Sequence, residues 1–134
     1  MRTLLTAFVL LAATPALAQP TADSFTSPTP EGLSAGAVRS GMDYSAFRRA
    51  LLDAGWQAPA NPECVTGVYG GDGTRAAGEP NVCRELPEIE SCSADGYCSM
   101  NFRKARRTIR VTTYGDYGAW QRRGLLSVLG WEQR

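Results

Sequence analysis

The sequence predicts an α+β fold in which one N-terminal helix packs on a three- to four-stranded antiparallel meander held by two disulfides. Three observations carry this prediction. Met42 to Trp56 repeats its large apolar residues at helical spacing, Tyr97 to Tyr114 alternates them at strand spacing on either side of a short basic turn, and every cysteine falls between Cys64 and Cys98.

In the helical stretch, MDYSAFRRALLDAGW, the residues Tyr44, Phe47, Leu51 and Leu52 fall on a single face. Asp43 is placed to cap the first turn, and Met42 and Phe47 occupy the positions of a hydrophobic staple. Gly55 suits the left-handed position that closes a helix, with Trp56 folding back on Leu51 as a core residue. Pro59 then forbids continuation.

The strands come next. Cys98, Met100 and Phe102 alternate with Tyr97, Ser99, Asn101 and Arg103, while Ile109, Val111 and Thr113 alternate with Thr108, Arg110, Thr112 and Tyr114. These two runs form a hairpin with its turn near Lys104 and Ala105. A shorter strand, Glu88 to Cys92, joins through Ser93-Ala94-Asp95-Gly96, where Asp-Gly supplies the positive φ of a tight turn. Its register carries a conflict. Setting Cys92 opposite Cys98 turns Ile89 away from the core, whereas sliding by one residue sets Ile89 against Phe102 and parts the cysteines, so a bulge is expected near the turn. Residues 125–133 are compatible with a strand or a helix, and a fourth strand is expected because the meander has an edge to cover.

Asn61 to Arg84 is glycine-rich and loop-like, bracketed by Cys64 and Cys83. A bridge between these two would pin a stretch with little else to hold it, contributing on the order of 3 kcal/mol. Cys64–Cys83 with Cys92–Cys98 is therefore favoured, with the other two connectivities open.

Met1 to Ala18 reads as a signal peptide: one arginine, an apolar run from Leu4 to Ala13, and the small-x-small pattern of Ala16-Leu17-Ala18. The run is too short for a membrane span of about 20 residues, and no later segment approaches that length. Export, to a periplasmic or secreted location, is therefore expected, in a compartment that favours disulfides. Loss of Arg2 takes the formal charge from +1 to zero, so no nucleic-acid partner is implied. Residues 19–37, rich in Pro, Ser, Thr and Gly, read as a flexible leader, and 38–134 as one small domain.

The absence of histidine from all 134 residues removes the commonest general base, the Ser-His-Asp triad, the Cys-His dyad and most zinc sites. No Cys-x-x-Cys pair is present, which argues against a four-cysteine zinc site and a thioredoxin-like redox centre. Asp72, in Gly70-Gly71-Asp72-Gly73, resembles a fragment of a calcium loop without its further acidic ligands. No catalytic residue, metal or cofactor is assigned. Glu88 and Glu90, two apart and so on one strand face, are the only pair suited to acid–base work on a glycan. The sharpest surface feature is the basic run Arg103, Lys104, Arg106, Arg107 and Arg110, a candidate anion site because guanidinium groups grip phosphates and carboxylates bidentately. Equally, such charge keeps an exposed hairpin soluble.

A helix ending in Gly-Trp, a Cys-flanked loop, then Leu86-Pro87-Glu88, Cys92-Ser93, Gly96-Tyr97-Cys98 and Thr113-Tyr114-Gly115 resemble a group of small exported bacterial proteins, mostly proteobacterial, with no assigned activity. The likeness covers about Asp43 to Gly115. In topology the chain is also similar to the helix-then-four-strand units of β-lactamase-inhibitor-like and PepSY-type domains, a fold analogy that carries no site. The function expected is that of a non-catalytic exported protein binding a partner protein or an anionic lipid or glycan of the envelope. The alternatives are a small cell-wall hydrolase using Glu88 or Glu90, and an inhibitor of a secreted enzyme.

Overall fold

The computed structural model describes residues 27–120 and 125–134. The expected signal peptide and the leader up to residue 26 lie outside the described residues. In chain order the elements are α1 (Tyr44–Asp53), α2 (Cys64–Tyr69), a 3-10 turn (Val82–Arg84), β1 (Ile89–Cys92), β2 (Tyr97–Lys104), β3 (Arg107–Gly115), a second 3-10 turn (Tyr117–Ala119) and β4 (Leu126–Gln133). The four strands pair antiparallel in the order β1-β2-β3-β4, so the chain is α+β and 126–133 is strand.

Helix α1 has the ends its sequence dictates. The Asp43 carboxylate accepts from the Ser45 amide at 2.8 Å, satisfying an N–H that the first turn leaves unpaired. At the other end Gly55 has a φ of 84° and the Trp56 amide donates back to the Leu51 carbonyl at 3.0 Å. Tyr44, Phe47 and Leu51 are buried, but Leu52 is 37% exposed, because the apolar stripe facing the sheet is narrower than four residues require.

The two flanks of α1 fix its direction across the sheet. Before it, the Gly41 amide donates to the Val128 carbonyl and the Val128 amide to the Met42 carbonyl, which pairs this segment with the free edge of β4. After it, Gln57 and Arg103 exchange both backbone hydrogen bonds, at 2.8 and 2.9 Å, where β1 no longer covers β2. The helix thus spans from one side of the sheet to the other. Under it lie Met100, Phe102, Ile109, Val111, Val128 and Trp131, and each buried side chain of this size contributes roughly 1.5–3 kcal/mol.

The disulfides pair Cys64 with Cys83 and Cys92 with Cys98. The bulge expected beside the second bridge is present. Cys92 faces Cys98 and Ser91 faces Ser99, then the register shifts so that Ile89 faces Met100, leaving Glu90 as the extra residue. Ile89 is buried as required, although its partner is Met100 rather than Phe102.

One expectation needs correcting. Asn61 to Arg84 is not loop alone, since α2 lies within it and packs on β1 so closely that a methyl group on Gly67 would overlap the Glu90 carbonyl. Within 27–37, the described part of the expected leader, residues hydrogen-bond to the domain. Trp131 donates from its indole to the Pro28 carbonyl at 2.7 Å and from its amide to the Ser27 hydroxyl at 3.0 Å, and the Trp56 indole donates to the Glu31 carbonyl at 2.9 Å. Indole N–H groups at the rim of a core need acceptors, and this polar segment supplies them.

Candidate functional site

Along β2 and β3 buried side chains alternate with more exposed ones, so each alternate side chain points to the face opposite the core. Among the described residues no helix or strand covers that face. Its rows follow from the uninterrupted β2–β3 register, in which Tyr97 faces Tyr114, Ser99 faces Thr112, Asn101 faces Arg110 and Arg103 faces Thr108.

At the centre of the open face sits Glu90. Its carboxylate takes an ion pair from Arg110 at 2.8 Å and accepts from the Asn101 side-chain Nδ2 at 3.2 Å and the Ser99 hydroxyl at 3.3 Å. Arg110 Nε in turn donates to Ser99 Oγ at 2.8 Å, so the hydroxyl links the two charged groups. The pair is half-exposed and closed on itself, and Arg110 and Ser99 line a groove of about 450 Å³ with Thr112, Leu129 and Glu132. At one end of the face the Tyr97 and Tyr114 rings lean together, centroids 4.9 Å apart and planes at 51°, with 46% and 48% of their surfaces exposed.

Glu88, expected on the same face as Glu90, lies on the other one. The bulge at Glu90 breaks the alternation, and β1 begins only at Ile89, so Glu88 is free to turn toward α1. There it is fully buried, accepting from Tyr44 Oη at 2.8 Å and from Arg48 Nε at 2.6 Å on one carboxylate oxygen. Burial, and then the charge of Glu88 and the hydrogen bond to it, push the Tyr44 hydroxyl well above the usual tyrosine range. Burial pulls the Arg48 guanidinium the opposite way, but the hydrogen bond and charge of Glu88 more than offset it and hold it protonated. A glycosidase needs two carboxyls facing one bond across a cleft, and these two face apart.

The basic run does not converge. Lys104 Nζ donates to the Ala54 carbonyl at 2.8 Å, closing the C-terminal end of α1; Arg107 pairs with Glu31 at 3.1 Å; and Arg110 belongs to the Glu90 network. Arg103, on the open face, and Arg106, in the two-residue turn, have no side-chain partner among the described residues. Asp72 accepts from the Thr74 hydroxyl at 2.6 Å and its amide at 3.0 Å, and these bonds hold its carboxyl below the usual carboxylate range. This is a local turn. Among the described residues no three His, Cys, Asp or Glu side chains are grouped to hold a metal, and no helix is long and apolar enough to cross a membrane.

The tyrosine pair and the Glu90–Arg110 network were not singled out in the sequence. The turn expected near Lys104 and Ala105 would set Tyr97 opposite Thr112; the turn lies one residue on, at Ala105 and Arg106, and that shift sets Tyr97 opposite Tyr114. The Glu90 network was not legible, because it needs the position of the bulge. The chain matches no protein-family model, no curated protein and no solved structure.

Proposed function

We propose that this chain is a non-catalytic exported protein that presents the open face of its sheet to a protein partner. The observation that carries this reading is the composition of that face: two exposed tyrosines, an arginine held in place by its own carboxylate partner, and small hydroxyl and amide side chains between them. Tyrosine and arginine are the residues on which protein interfaces concentrate their binding energy, and side chains held before contact lose less entropy on binding. The separation of Glu88 from Glu90 supports the non-catalytic part, and two closed disulfides support the oxidising compartment expected from Met1 to Ala18. A target enzyme, for an inhibitor, would be one such partner.

Arg103 and Arg106 keep the anionic-envelope reading in view, because their guanidinium groups meet no carboxylate among the described residues. A photo-crosslinking residue placed at Thr112, on the open face, separates the readings when compared with one at Leu52, on the exposed side of α1. A protein adduct is expected from Thr112 in the native compartment and none from Leu52. Absence of an adduct from Thr112, together with salt-sensitive binding of anionic vesicles that Arg103→Glu and Arg106→Glu abolish, would replace the partner protein with an anionic surface.

A further inference from the structure

At the tyrosine end of the sheet the Ala94–Gly96 turn and the loop from Gly115 to Gly118 flank an open cleft of about 560 Å³ beside Tyr114. Its floor is backbone: the Gly115 amide donates to the Gly96 carbonyl at 3.0 Å, and a methyl group on Gly96 would meet the Gly115 carbonyl at 2.8 Å. Its polar lining is acidic, with Asp95 from the turn and Asp116 from the loop, and no Lys or Arg contributes to it among the described residues. Asp116 uses one carboxylate oxygen to accept from the Ala119 amide at 3.1 Å, and Asp95 has no hydrogen-bond partner among the described residues. Tyr114 and Tyr117 also line it.

We propose that this cleft receives a basic side chain, an arginine or lysine presented by the protein partner. The inference rests on the reading of the open face as a protein-binding surface and names the chemistry recognised at one end of it. Two carboxylates repel an anion, and a lining without Leu, Ile, Val or Phe has little to offer an apolar group. A cation gains from both parts of the site: the negative faces of the rings attract it, and the carboxylates accept its N–H groups. Two carboxylates fall short of a metal cage, whereas a guanidinium can stack on tyrosine while it hydrogen-bonds in plane. Charge across the face adds direction. Arg103 and Arg106 lie at the far end of the β2–β3 hairpin, roughly 20 Å from the tyrosines at about 3.3 Å per residue, so the face is acidic and aromatic at one end and basic at the other. A partner with the complementary gradient would be steered into one orientation.

The test is titration of isotope-labelled, oxidised protein with N-acetyl-arginine amide, followed by amide shifts, with N-acetyl-citrulline amide as its uncharged counterpart. Shifts are expected at Gly96, Tyr97, Tyr114 and Gly115, with binding weakened roughly fivefold or more for citrulline and for Asp95→Asn. Asp95 lies in an exposed turn, so the variant's unchanged spectrum elsewhere reports an intact fold. Equal binding of citrulline, or binding of a chitin oligosaccharide at the tyrosines in place of arginine, would overturn the proposal. So would binding that appears only after Arg122→Ala and Arg123→Ala, the two arginines that follow the Gly115–Gly118 loop most closely in sequence, since the cleft would then serve the chain's own arginines. The free probe needs no partner protein. Its failure leaves the open-face reading standing, and failure of crosslinking at Thr112 with arginine still bound would remove the partner while leaving the cleft.

Discussion

Glu88 and Glu90 are two residues apart and each is paired with an arginine, yet they live in different solvents. Glu88 is buried under α1 with Tyr44 and Arg48, whereas Glu90 lies half-exposed on the open face with Arg110. One extra residue in β1 separates them, and that residue is Glu90 itself. The bulge has two restraints: the Cys92–Cys98 bridge sets the register on one side of it, and the close approach of Gly67 presses α2 against its backbone. The same ion pair serves as framework or as surface depending on where the backbone takes it. Removing one partner from a buried pair leaves a charge stranded at a cost of about 3–5 kcal/mol, while an exposed pair contributes about 0–1 kcal/mol.

The largest expected effect falls on the covered face. Arg48→Ala should lower unfolding free energy by about 3 kcal/mol in a denaturant titration, since it strands the Glu88 carboxylate with Tyr44 alone. A loss below about 1 kcal/mol would show that water reaches Glu88 and would erase the contrast between the two faces. Next comes the bulge. Gly67→Ala should cost about 2 kcal/mol, because the added methyl overlaps the Glu90 carbonyl and must push α2 away from β1. If the variant is as stable as the parent, the contact does not hold the bulge.

Alkaline pH sharpens the covered side. Tyr44 holds its proton to a higher pH in the folded chain than in the unfolded one, so its contribution is complete below about pH 10 and is lost as pH rises through the folded value. Above pH 10 the parent should therefore lose stability relative to Tyr44→Phe by about 1.4 kcal/mol per pH unit. Parallel stability curves for the two proteins would mean that Tyr44 titrates as if exposed. The smallest effect belongs to the open face, where Glu90→Ala should change stability by less than about 1 kcal/mol. The same variant frees Arg110 and should weaken formation of the Thr112 crosslinked adduct, so a stable variant with undiminished crosslinking would separate the Glu90 network from binding.

Local chemistry was enough to read much of this fold in advance. The cap at Asp43, the left-handed Gly55 with Trp56 folded back, and the alternation of β2 and β3 all depend on residues within a few positions of one another, where geometry leaves few choices. The cysteine spacing favoured the two bridges for a similar reason, as each closes a short loop. Tertiary structure decided the rest. It cut the helical face down to Tyr44, Phe47 and Leu51, gave α2 its place on β1, and drew residues 27–37 onto the indoles of Trp56 and Trp131. It also dispersed the basic run, sending Lys104 to the end of α1, Arg107 to Glu31 and Arg110 to Glu90. Each of these outcomes turns on which distant group is nearest and how much water remains between them. That is why adjacency in sequence made Glu88 and Glu90 look like a pair, and the folded chain parted them.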